Sequence, residues 1–142
     1  MQIAKTPGVV PRIADILIIG VRPSQFDRIQ RNVEDGLKGM HMGWSCTVNL
    51  GKSFDQVIDE FLPKRPELDL VYIANEVRLT AETLRKGVTR LSFELAKHCA
   101  KPCVVLAESL AWLANIFHAK GIKVYFSIEG ALTERHAQRE AA

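Results

Sequence analysis

The sequence predicts a three-layer α/β domain in which a parallel, five-stranded sheet is covered by helices on both faces. Short apolar runs rich in β-branched residues recur along the chain, and segments with apolar residues at helical spacing separate them. When strands and helices alternate over short connections, right-handed crossovers place the strands parallel and cover both faces of the sheet. At 142 residues, the chain has the length of one such domain.

The first strand is predicted at Ile16–Ile19, an isoleucine-rich run typical of a strand buried on both faces. The chain then breaks at Gly20, and a helix is predicted from Ser24, where Ser24 and Asp27 have the spacing of a capping box. Residues 1–12 contain two prolines and a glycine without periodicity, so we expect an extended N-terminal arm before a single domain at 13–142.

The second strand is predicted at Trp44–Leu50, where apolar and polar residues alternate as in an edge strand. A helix follows from Ser53 and stops at Pro63. The third strand, Leu70–Ala74, is fully apolar, as a central strand would be. This contrast between the second and third strands favours the order 2-1-3-4-5.

The second half of the chain repeats the alternation. A long helix is predicted at Thr80–Cys99, a strand at Cys103–Ala107 and a helix from Glu108. The fifth strand is predicted at Ile122–Ser127, and a short polar helix from about Leu132. These two βα units complete the five that the fold class requires.

Composition excludes several classes of protein. The net charge of +3 gives only weak support for nucleic-acid binding. No apolar run approaches the ~20 residues of a membrane span, and the first residues lack a secretory pattern, so no membrane insertion is expected. Three cysteines at irregular spacing form no disulfide framework, which favours a reducing, cytoplasmic location.

The carboxyl ends of parallel strands are where ligands are expected in such a sheet. Six candidate ligand-binding residues lie there: Arg22, Ser24, Asn75, Glu76, Glu108 and Ser109. Arg22 beside the amides near Ser24 has the chemistry of a small anion site, although a capped helix with a solvated arginine is the simpler reading. Asn75 and Glu76 contact a ligand or only end a strand, while Glu108 and Ser109 contact a ligand or only cap the next helix.

No catalytic, metal or cofactor site is predicted. The spacing of His98, Cys99 and Cys103 matches no zinc pattern. No serine has a nearby histidine and aspartate in a known nucleophile setting. The basic stripe Lys86, Arg90, Lys97 and Lys101 lacks interleaved aromatics, so nucleic-acid binding is disfavoured and a solvated outer face is expected.

Three segments together resemble a response-regulator receiver domain, which has a flavodoxin-like fold. They are Ile16–Ile19 followed by Pro23, then Leu68–Ala74, then Lys101–Ala107. The resemblance implies an acidic pair after the first strand, an aspartate ending the third, a hydroxyl residue ending the fourth and a lysine after the fifth. Here those places hold Gly20 and Val21, Ala74 or Asn75, Ala107, and Ser127 with Ile128. A receiver-like module without the phosphorylation site would bind protein partners or itself, in a signalling or regulatory role and without enzymatic activity.

A second resemblance gives an alternative function. Lys101–Leu106 and Ala119–Tyr125 are similar to the flavodoxin-like subdomains of nucleoside-diphosphate-forming acyl-CoA ligases. That family implies a small-molecule binding domain for a nucleotide, CoA or another anion. It also implies a phosphohistidine, and no matching histidine motif is present in this chain.

Overall fold

The computed structural model describes the chain over residues 13–38, 43–49, 54–64 and 68–141, with side chains described at 15–38, 54–64 and 68–134. The predicted N-terminal arm and Ser53, where the second helix was predicted to begin, lie outside these ranges.

One sheet of five parallel strands forms the centre of the molecule, in the order β2-β1-β3-β4-β5. The strands are β1 (Ile13–Ile19), β2 (Gly43–Asn49), β3 (Leu70–Ile73), β4 (Cys103–Leu106) and β5 (Lys123–Tyr125). The α/β class and the parallel sheet of the sequence prediction are confirmed. Compared with the prediction, β1 begins three residues earlier, and β5 is shorter at both ends.

Helices cover both faces of the sheet. They are α1 (Phe26–Leu37), α2 (Phe54–Gln56), α3 (Ala81–His98), α4 (Ala114–His118) and α5 (Ile128–Ala141). The short α2 continues as a π-helix (Val57–Phe61) and a 3-10 turn (Leu62–Lys64), and a 3-10 helix (Glu108–Leu113) leads into α4.

Alternation along β1 divides the core between the two faces. Leu17 and Ile19 pack with residues of α2, α3 and α4 on one face, whereas Ile16 and Ile18 pack with α1 and α5 on the other. All four side chains are at most 3% exposed. Burial of both sets explains why the strand carries no polar alternation.

Two predicted helix starts are wrong. The capping box at Ser24 does not form, because Pro23 begins a 3-10 turn (Pro23–Gln25) and α1 starts only at Phe26 without a side-chain cap. The last helix begins at Ile128 instead of Leu132, since the Ser127 hydroxyl accepts a hydrogen bond from the Gly130 amide at 3.0 Å and caps it.

Among the described residues, none of the helices combines the length with the apolar character that crossing a bilayer requires.

Candidate functional site

The loops after β3, β4 and β5 enclose a cleft of about 530 Å³ at the carboxyl edge of the sheet. Its lining residues are Arg28, Asn32, Tyr72, Ala74, Asn75, Glu76, Ala107, Glu108, Ser109, Phe126, Ser127, Ile128 and Glu129. Four of the six sequence-predicted candidates therefore share one cavity: Asn75, Glu76, Glu108 and Ser109. The other two, Arg22 and Ser24, are exposed and do not line it.

The turn after β1 leaves no room for a side chain at its first position. Gly20 has φ +78°, and a Cβ built on it would lie 2.0 Å from the carbonyl oxygen of Ala74. The Gly20 carbonyl accepts the amide of Glu76 at 2.9 Å, and the next residue, Val21, is fully buried. A carboxylate pair therefore does not fit at the end of β1.

Glu76 holds this turn against α1. Its Oε1 accepts the backbone amide of Arg22 at 2.7 Å, and its Oε2 lies 3.0 Å from Nη2 of Arg28. The Arg22 guanidinium is 3.9 Å from the same carboxylate. The amide of Arg22 already donates to Glu76, and Pro23 has no amide hydrogen to donate. This turn therefore offers fewer free backbone amides to an anion than the sequence suggested.

The Asn75 side chain hydrogen-bonds to the backbone of the loop that follows β3. Its Oδ1 accepts the Leu79 amide at 2.8 Å, and its Nδ2 donates to the Leu79 carbonyl at 3.1 Å. These two bonds close a loop in which Arg78 takes a left-handed φ of 59°. The Asn75 side chain thus has both its oxygen and its nitrogen hydrogen-bonded within the loop, although the residue lines the cleft.

Glu108 and Ser109 do not cap the helix that follows β4. The N-cap position belongs to Ala107, and no side chain hydrogen-bonds to the first turn there. Both side chains are exposed on the cleft wall. The capping interpretation of these two residues is wrong, so both remain available to a ligand.

Three residues that line the cleft, Tyr72, Phe126 and Glu129, were not among the candidates predicted from the sequence. Tyr72 lies on its floor, only 8% exposed, and Phe126 lies on the wall with 52% of its surface exposed. Alternation along β3 could have indicated Tyr72, which faces α1 and α5 while Val71 and Ile73 face the other layer. Glu129 was not among the six candidates, and it lies in the first turn of α5 beside the cleft.

Two of the four residues of the predicted basic stripe pair with carboxylates. Lys86 lies 3.2 Å from Glu82, and the Arg90 guanidinium bonds to Asp55 and to Asp59, the latter at 2.9 Å. The hydrogen bond that Arg90 donates to Asp55, and then the one to Asp59, raise the pKa of Arg90 above its usual value. Arg90 therefore fastens α3 to the α2 segment instead of facing a polyanion.

The described side chains assemble no metal site: no three His, Cys, Asp or Glu residues among them gather as ligands would. Cys99 packs in the layer of α2, α3 and α4, whereas Cys103 packs in the opposite layer. His98 lies 3.0 Å from Glu94 on its own helix. The sheet thus separates the two thiols that the sequence brings close.

Exposed aromatic residues on α3 and on the 3-10 helix Glu108–Leu113 form a second group. Phe93 and Trp112 are 56% and 46% exposed. The Cζ of Arg85 lies 5.7 Å from the Trp112 ring centre, and Nζ of Lys120 lies 5.0 Å from the ring centre of Phe93. We call Arg85, Phe93, Trp112 and Lys120 the aromatic–cation face.

Neither a protein-family model nor a curated protein matches this chain. A solved structure of Streptococcus pneumonia TIGR4 flavodoxin aligns with 91% of this chain and 98% of its own, at 13% sequence identity and a TM-score of 0.40. The strand order and the two helical layers are those of a flavodoxin-like fold.

Proposed function

We propose that this chain is a receiver-like regulatory module that binds a protein partner and does not accept a phosphoryl group. The turn at Gly20 is the observation that carries the proposal. Aspartyl phosphorylation needs a carboxylate nucleophile and carboxylates that hold magnesium. The place for the metal-binding pair is filled by the Gly20–Ala74 contact and by buried Val21.

The remaining positions of a phosphoryl-transfer site also carry unsuitable side chains. Asn75 is held by Leu79, and Ala107 has no hydroxyl to contact a phosphoryl oxygen. The nearby carboxylate, Glu76, already accepts from Arg22 and Arg28. These contacts support a module that has the sheet of a receiver without its chemistry.

The aromatic–cation face is where we place the partner. Large exposed aromatics concentrate binding energy in protein interfaces. The rings of Phe93 and Trp112 stand out from a described surface that is otherwise poor in exposed large apolar side chains, with Phe126 as the third. Because a cation lies over each of the two rings, a partner that binds here would contact an aromatic ring and a positive charge at the same place.

Charge favours an acidic partner. Arg85 and Lys120 contact rings, and no described carboxylate pairs with either of them or with Lys97, one helical turn beyond Phe93. Three uncompensated cations around two aromatics match a peptide segment that alternates carboxylates with apolar side chains. We therefore propose an acidic amphipathic segment as the occupant.

Exposure to acetyl phosphate and magnesium tests the first part of the proposal. Intact-mass measurement is expected to show no acid-labile phosphoryl adduct on the protein. Asn75→Asp, which restores a carboxylate near the end of β3 without a metal cradle, is expected to remain unmodified too. A stoichiometric adduct on the unaltered chain would contradict the proposal.

Fluorescence anisotropy of a labelled peptide of alternating glutamate and leucine tests the second part. Trp112→Ala is expected to weaken binding about tenfold, the size of a moderate interface hot spot. Lys86→Gln serves as the matched control, because Lys86 is an exposed α3 cation already paired with Glu82.

Two results of this titration would contradict the acidic segment as occupant. One is equal affinity of the Trp112→Ala and Lys86→Gln variants for the peptide. The other is a dimer in sedimentation equilibrium that Trp112→Ala abolishes, which would assign the face to a second copy of the chain.

A further inference from the structure

The floor of the cleft holds a largely buried tyrosine. Tyr72 is 8% exposed, and none of the described residues forms a hydrogen bond with its side chain. Buried phenol hydroxyls normally find a partner, since an unsatisfied one costs stability. Tyr72 lines the cleft, so a molecule within it is positioned to supply that partner.

The charge of the lining selects the kind of molecule. One guanidinium, Arg28, and three carboxylates, Glu76, Glu108 and Glu129, line the cleft, which leaves a net charge of −2 (1 − 3). Arg28 and Glu76 bond to each other at 3.0 Å. Neither Glu108 nor Glu129 has an ion-pair partner among the described residues. The uncompensated charge is therefore negative, and it disfavours nucleotides and other anions.

An aromatic ring adds a second preference for a cation. Phe126 is half exposed on the wall that also contains Glu129. Ammonium and guanidinium groups bind over such rings, and more strongly where water is partly excluded. An aromatic ring, two unpaired carboxylates and an unsatisfied hydroxyl thus converge on one cavity.

We propose that this cleft binds a small organic cation, with a primary ammonium or guanidinium group between the carboxylates and Phe126 and a hydrogen bond to Tyr72. The volume of about 530 Å³ lies within the range of small-molecule pockets. The same chemistry is carried by a free amine and by a lysine or arginine side chain of a peptide. This inference does not depend on the proposed function, because no residue of the aromatic–cation face lines the cleft.

Calorimetric titration with putrescine, agmatine and free arginine tests the proposal, and blocked lysine and arginine tripeptides form a second arm. Binding by the free amines at least tenfold tighter than by the tripeptides supports a small-molecule site, whereas the reverse assigns the cleft to a peptide side chain and overturns the small-molecule proposal. Adenosine monophosphate and CoA are the anionic arm, and tight binding of either overturns the proposal.

Variants connect the binding to the named groups. Tyr72→Phe keeps the ring and is expected to weaken binding of the best amine about five- to tenfold. Glu108→Gln and Glu129→Gln are each expected to weaken it about fivefold and to lower its salt dependence. Glu82→Gln is the matched control, because it also removes a first-turn helix carboxylate but lies outside the cleft.

Failure of all the amines to bind at millimolar concentration overturns the proposal. The same holds if Glu82→Gln weakens binding as much as Glu129→Gln, since the effect would then be one of general charge. Peptide binding at the aromatic–cation face is measured independently, so failure at one surface is distinguishable from failure at the other.

Discussion

At the carboxyl edge of the sheet, the part that follows β1 is closed, whereas the part above β3, β4 and β5 is open. In the closed part, Gly20 contacts Ala74, and Glu76 joins the turn to α1. In the open part, Tyr72 and Glu129 line a cavity without described partners. The two halves of the sheet edge thus differ in whether they leave room for a ligand.

The border between the two parts differs from the rest of the cleft in how its polar groups are satisfied. Asn75 and Glu76 line the cleft next to the closed turn, and both form hydrogen bonds within the chain. Polar groups that are hydrogen-bonded within the chain fix the backbone geometry. Buried or clustered polar groups that lack such partners indicate a ligand that would supply them. Stability measurements on single variants can therefore separate the two parts.

Gly20→Ala is expected to have the largest effect. The new methyl group would meet the Ala74 carbonyl oxygen at 2.0 Å, on a backbone with φ +78°. We expect a loss of about 4 kcal/mol in the free energy of unfolding, measured by urea denaturation. Gly121→Ala is the control, because φ there is +74° but no atom lies within 4 Å, so only about 1 kcal/mol should be lost. Equal losses would mean that the closed turn is not tightly packed.

Asn75→Ala should have an intermediate effect. It removes both bonds to Leu79 and leaves the amide and carbonyl of that residue without this partner. The expected loss is about 2 kcal/mol, read from the denaturation midpoint. Ser109→Ala, at an exposed position on the cleft wall, should stay within about 0.5 kcal/mol of the unaltered chain. A larger change for Ser109→Ala than for Asn75→Ala would reverse the assignment of closed and open parts.

Tyr72→Phe should have the smallest effect, and of opposite sign. Removing the hydroxyl of this largely buried tyrosine, which has no partner among the described residues, should relieve a desolvation cost and raise the stability of the ligand-free protein by about 0.5 kcal/mol. Thermal and urea unfolding of the unliganded variant measure this. A loss of 1 kcal/mol or more would indicate that the hydroxyl is already paired within the free protein.

Local pattern was sufficient to predict the α/β class and the positions of the strands. Apolar runs such as Leu70–Ile73 are buried on both faces, and this burial is what their composition encodes. Helix starts were harder because capping depends on backbone geometry. Pro23 opens a 3-10 turn where a capping box was expected, and Ser127 caps α5, which begins four residues before the predicted start.

The candidate site was predictable only in part. Strand ends correctly brought together Asn75, Glu76, Glu108 and Ser109 around one cleft, because parallel strands share one edge. The hydrogen bonds of these residues could not be predicted from the sequence, because the partner of Glu76, Arg22, lies 54 residues away along the chain. Tyr72 was not predicted as a site residue. Whether a hydroxyl has a hydrogen-bond partner depends on tertiary packing, which residue spacing in the sequence does not indicate.

The position of β1 has a consequence for the chain during synthesis. β1 lies between β2 and β3, and its ladder with β3 pairs Ile16 with Leu70 and Ile19 with Ile73. Until the segment through Ile73 has left the ribosome, one edge of an isoleucine-rich strand has no partner. Such an edge is a template for intermolecular β-pairing. We therefore expect the nascent chain to be open to such pairing until translation has passed β3.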